Sequence, residues 1–168
     1  MTKNENPVIW VVICCYGTED GLEEHLAQCA KYIAVLDMER RLAGVLLSGG
    51  KTNSQMPDKS EAAISAEYLK KELGKMGVPI EEIPIYLEEK SINTPQNLVH
   101  SGRKILYDIK PEEHNIQIVY VVADLQKYMV QLLLRYVKEF LVVNIYEGWK
   151  IEYMVKSFPK KDIHLNSN

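Results

Sequence analysis

Short apolar runs alternate with segments whose apolar residues recur at helical spacing, almost from end to end of the chain. Val8 to Cys15 is continuous, rich in branched side chains and closed by Gly17, the pattern of a strand buried on both faces. Leu22, Leu26, Cys29, Ile33 and Leu36 then line one face of a helix. Ala43 to Leu47 reads as a second buried strand. Ala62, Ala66, Leu69, Leu73 and Met76 mark a second helix, stopped by Gly77 and Pro79. Ile83 to Leu87 is the third expected strand, and Thr94 caps a helix with Pro95 as its first residue. Ile116 to Val122 predicts a fourth strand, Leu125 to Glu139 a helix, and Phe140 to Tyr146 a fifth strand. From Trp149 apolar and polar residues alternate, as in a half-exposed last strand at an edge.

This βα alternation predicts an α/β fold, a Rossmann-like three-layer sandwich with a mainly parallel sheet of about five strands. It fits one domain over residues 1–158 followed by a polar tail, 159–168. Composition changes the picture little. The 168 residues are 46% hydrophobic and 26% charged, an ordinary globular balance. A net charge of −3 argues against a nucleic-acid-binding face. The longest apolar run is too short to span a membrane, so no transmembrane segment is expected. Three cysteines, two of them adjacent, suit reduced thiols in a cytoplasmic protein better than a disulfide framework. Cys14 and Cys15 read as small core residues.

In an open parallel sheet the ligand crevice lies outside the carboxyl ends of the strands. Four loops fall there: Tyr16 to Gly21, the stretch "SGGKTNSQ" from Ser48, "EEKSINTPQN" from Glu88 to Asn97, and Ala123 to Lys127. Each leads into a helix N-terminus, which favours anions. Ser48, Gly49 and Gly50 lack bulk and could bring backbone N–H groups against a phosphate or carboxylate, with Lys51 supplying charge; a tight turn is the alternative. The stretch is not a P-loop. Asp58 and Glu61 have the spacing of a capping box, so Glu61 either holds a helix start or meets a ligand. Asn97, at the third helical position, could reach back to the cap or out to a ligand. Asp20, Glu61, Glu88 and Asp124 are candidates for an oxygen-rich divalent-cation site. His25, His100, His114 and His164 show no ligand spacing, and none is placed to serve Ser48 as a base.

"VLLSGG", "SEA" (Ser60 to Ala62), "VPIEEI" (Val78 to Ile83) and "EEKSINTPQN", in that order, resemble the YdcF-like family, which includes SanA and ElyC. The resemblance runs from about Val8 to Arg135. It implies a Rossmann-like fold with a polar cleft at the carboxyl edge of the sheet. Members have been linked to cell-envelope processes and one to S-adenosylmethionine, which makes that compound a candidate ligand. Carried over, the site comprises Ser48, Gly49, Gly50, Glu61, Glu88, Thr94 and Asn97, with Glu88 and Glu61 as the candidate catalytic pair. Two positions depart from the pattern. Gln96 stands where the family has Glu, and Gln126, in "VADLQKYM", stands where a His followed by an Arg is common. The reading is therefore a protein that binds, and can act on, a small anionic, nucleotide-like or phosphorylated molecule. The alternative is a sensor or partner-binding protein that has kept the cleft and lost the chemistry.

Overall fold

The computed structural model describes residues 6–15, 21–54, 56–142 and 149–159, with the backbone alone for 138–142. Five strands, β1 (Val8–Cys14), β2 (Leu42–Ser48), β3 (Ile85–Glu88), β4 (Asn115–Ala123) and β5 (Lys150–Phe158), form one sheet in the order β3-β2-β1-β4-β5. Every neighbouring pair is parallel. The crossovers are α1 (Leu22–Met38), α2 (Glu61–Lys75), α3 (Thr94–Arg103) and α4 (Lys127–Val142). This is the expected α/β sandwich.

Two cores follow from the period of two along a strand. Ile9, Val11 and Ile13 of β1 face α1 and α2, where they meet Leu26, Ile33, Ala62 and Leu69. Trp10, Val12 and Cys14 face the other way, toward Leu98 of α3 and Val130 and Leu134 of α4. The adjacent Cys14 and Cys15 consequently enter opposite cores. All three cysteines are buried and unbridged. No described helix is long and apolar enough to cross a membrane.

Three expectations change. Phe140 to Val142 close α4 rather than opening a strand, and residues 143–146 lie outside the described residues. The fifth strand is instead the alternating segment after Trp149, which pairs with β4 at the edge of the sheet. A short apolar run cannot separate helix from strand by periodicity alone, and here the helix runs on through it. The third strand starts at Ile85, because Ile80–Glu82 coil into a 3₁₀ turn before Pro84. The caps also move by a residue or two. Ser60 caps α2, accepting from the Ala63 N–H at 3.0 Å, so Asp58 lies before the helix. Asn93, not Thr94, caps α3, accepting from the Gln96 N–H at 3.0 Å. Gln96 answers by accepting the Ile92 N–H at 2.9 Å, a reciprocal cap that gives this glutamine a structural role.

Candidate functional site

Sheet register brings the candidate residues together before any side chain is considered. Cys14 pairs with Ser48 and Ser48 with Glu88, so the carboxyl ends of β1, β2 and β3 form one row. Cys14 belongs to the core on the α3 side, and residues in one such row share a face. Above that row lies the first half of α3, held down by Tyr120 of β4, whose hydroxyl donates to the Leu98 carbonyl at 3.0 Å.

Glu88 is the hub. Its side chain is buried and ordered by four donors. Ser48 Oγ and Ser91 Oγ donate to Oε2 at 2.6 and 2.5 Å. The Lys90 and Ser91 N–H groups donate to Oε1 at 2.7 and 3.2 Å. Burial pushes the Glu88 carboxyl upward, but the hydroxyls of Ser48 and Ser91, the Lys90 N–H and the nearby His100 outweigh it. The net effect is a pKa below the ordinary glutamate value. Glu88 is therefore an anion fixed in place by donors.

Around it, Ser48 Oγ also lies 3.2 Å from Asn97 Oδ1, and Ser101 Oγ donates to the Asn97 carbonyl. His100 Nδ1 stands 3.1 Å from Ser91 Oγ and 3.7 Å from Glu88 Oε1. Since the Ser91 proton goes to Glu88, the matching arrangement has Nδ1–H of His100 donating to Ser91. That chain, Glu88–Ser91–His100, fixes the ring and its tautomer while Nε2 takes no part. The imidazole is 38% exposed and Glu88 6%, so the network runs from the interior to the surface.

The two adjacent glycines do something other than the expected anion cradle. Gly49 N–H donates to the Glu88 carbonyl at 2.9 Å and Gly50 N–H to the Ser91 carbonyl at 2.6 Å. Both donors are thus committed to the chain itself. Neither glycine has a positive φ among the described residues; what each requires is space. A Cβ on Gly50 would stand 2.5 Å from the Ser91 oxygen, and one on Gly49 2.9 Å from Cys15 Cβ. The start of α2 is equally self-contained. The carbonyls of Gly50 and Gly49 accept the N–H groups of Glu61 and Ala62, the first turn of α2. Ser48–Gly50 is a junction that clamps β2, α2 and the loop after β3 to one another.

Of the expected site, then, Ser48, Glu88 and Asn97 meet directly, and Gly49 and Gly50 join them through backbone bonds. Glu61 is buried beside Gly49 and accepts from Thr52 Oγ1 at 2.5 Å, separate from the Glu88 network. Thr94 is a half-buried first residue of α3, and Lys51 is exposed on the rim. Among the described residues the candidate cation site of Asp20, Glu61, Glu88 and Asp124 is not assembled. Asp20 lies outside the described residues, Asp124 is exposed, and Glu88 is saturated with donors. Among the described residues no group of three or more His, Cys, Asp or Glu could hold a metal ion. Ser91 and His100 were not anticipated. The available signal was that Asn97, His100 and Ser101 share a helix face three and four residues apart.

The reversal of strand order between β1 and β4 marks the usual crevice of such sheets. Here it holds a cavity with room for about one water molecule, lined by Cys15, Leu22, His25, Leu26, Ser65 and Ala123. The polar chemistry lies one strand away, over β2 and β3. No protein-family model and no curated protein matches the chain.

Proposed function

We propose that this is a YdcF-like cytoplasmic protein that binds a small anionic molecule, phosphorylated or nucleotide-like, over the loops that follow β2 and β3. The observation that carries the reading is the 2.6 Å bond from Gly50 N–H to the Ser91 carbonyl. It ties the two loops together and sets Lys51 and Lys90, both exposed, on adjoining turns next to His100. Two ammonium groups and an imidazole borne by adjoining turns suit a phosphate or carboxylate better than any neutral group. The anion is met by these side chains, because the glycine N–H groups and the start of α2 are already engaged. Glu88 is a positioning residue: through Ser91 it holds His100 with Nε2 available to accept a proton, or to give a third positive charge once protonated.

A second reading, a sensor without chemistry, is favoured by Gln126. It occupies the turn after β4 with its Oε1 buried and without a hydrogen-bond partner among the described residues, and an amide at this position cannot itself exchange a proton as a histidine would.

Thermal-shift measurements with inorganic phosphate, nucleoside phosphates, nucleotide sugars and S-adenosylmethionine test the reading. A ligand at a hundred times its Kd stabilises by about 2.7 kcal/mol, a rise of roughly 5–10 °C for a chain of this size. The Lys51→Ala/Lys90→Ala double variant should lose most of that rise while melting unliganded like the wild type. A ligand response that the double variant and His100→Gln both retain in full would overturn the assignment. Turnover of the bound compound, abolished in His100→Gln, separates the enzyme from the sensor.

A further inference from the structure

The helix α4 is apolar on two opposite sides. Val130, Leu134 and Val137 point into the core. Opposite them Tyr128, Met129, Leu132 and Tyr136 of α4, spaced i, i+1, i+4 and i+8, and Leu125 of the 3₁₀ turn just before the helix (Asp124–Gln126), are 45–80% exposed. A helix that is hydrophobic nearly all round belongs in an interior rather than at a surface. Single exposed apolar residues are ordinary, but five in one stripe mark an interaction surface.

We infer that this face of α4 is where a second copy of the chain docks, the two α4 helices packing antiparallel about a twofold axis near Met129 and Leu132. Three observations select that occupant. Side chains of this size offer about 150–250 Å² each, so the exposed fractions amount to roughly 600 Å² per protomer, close to the ~800 Å² per partner of a standard interface once flanking residues are added. The stripe is self-complementary when reversed: Leu125 meets the partner's Tyr136, while Tyr128 and Met129 meet the partner's Leu132. Charge selects the direction. Asp124 precedes the stripe and Arg135 lies near its far end, both exposed. An antiparallel copy sets each near its opposite twice over, whereas a parallel copy would set like against like. A lipid surface fits less well, because the flanks of the stripe set acidic Asp124 and neutral Gln131 among Lys127 and Arg135 rather than presenting a uniformly basic border.

Sedimentation velocity on the full chain at micromolar concentration should show a dimer. Leu132→Glu repeats its charge on both sides of the axis and should weaken association at least about a hundredfold. Its circular dichroism should remain that of the wild type, since Leu132 is exposed. Asp124→Arg should weaken the dimer about five- to tenfold, and adding Arg135→Asp should restore it. These two changes leave the core untouched and decide the matter should Leu132→Glu fail to fold. A wild-type monomer, a dimer indifferent to Leu132→Glu, a double reversal that restores nothing, or a monomer that instead floats with lipid vesicles would each overturn the inference.

Discussion

Replacing Glu88 with Gln keeps the shape of the hub and removes its charge. The four donors divide evenly: two backbone N–H groups on Oε1 and the hydroxyls of Ser48 and Ser91 on Oε2. Whichever position the amide NH₂ takes, two donors face a group that cannot accept. The less costly orientation puts NH₂ toward the hydroxyls, because each can turn its proton elsewhere, Ser48 to Asn97 Oδ1 at 3.2 Å and Ser91 to His100 Nδ1 at 3.1 Å once the imidazole switches to the tautomer with its proton on Nε2. The bonds are then rearranged rather than lost, and the penalty is mainly the charge assistance. Bonds to a charged group contribute about 1.5–3 kcal/mol against 0.5–1.5 for neutral ones, so the expected destabilisation is about 2–3 kcal/mol. For a chain of this size that lowers Tm by roughly 4–12 °C. The pH dependence carries the sign. The carboxyl pKa is lower folded than unfolded, so the stabilisation is complete above the unfolded value, about 4.3, and is lost as pH falls through the lower folded value. Urea denaturation of wild type and Glu88→Gln, at neutral pH and in steps down through the carboxylate range, reads both effects. A variant within 0.5 kcal/mol of wild type at neutral pH, or one that loses stability on acidification as steeply as wild type, would refute the hub.

Two further pairs of substitutions test the architecture. Gly50→Ala should cost about 2–3 kcal/mol, since its methyl meets a backbone oxygen at 2.5 Å that cannot yield. Gly74→Ala, late in α2 with only Ile80 Cδ1 at 3.5 Å, should add about 0.5–1 kcal/mol; equal effects in urea melts would show that space is not what Gly50 provides. Asn93→Ala should cost about 1 kcal/mol through the lost cap and Thr94→Ala less than about 0.5; the reverse order in thermal melts would move the cap back to Thr94.

The layers of this fold were legible because β1, β2 and β4 are buried on both faces and read as unbroken branched runs, while α1 and α2 carry clean stripes. Phe140 to Val142 misled for the opposite reason: a short apolar run looks the same in a helix and in a strand. At the site, Ser48, Glu88 and Asn97 stood out by their position at strand and helix ends. Ser91 and His100 did not, since what links them is the packing of α3 over the end of β3, which no local pattern encodes. The adjacent glycines showed the need for close approach but not what approaches. Here it is the protein itself, the side chains of Cys15 and Glu61 at Gly49 and the backbone of Ser91 at Gly50.

The central place of β1 has a consequence for how the chain reaches this state. One edge of β1 is closed by β2, the next strand to be synthesised, but on the other edge Val8 waits for Ile116, roughly a hundred positions later. Until β4 emerges, the most apolar strand of the protein keeps a row of unpaired N–H and C=O groups, a template for any extended segment nearby. A nascent chain that pairs its strands as they emerge would pass through a half-built sheet, β3-β2-β1, whose open side is its future middle. Substitutions that delay β4, such as a break in the long π-helical turn Lys104–Ile109 that leads to it, should show first as aggregation during synthesis, before any loss of stability in the finished protein.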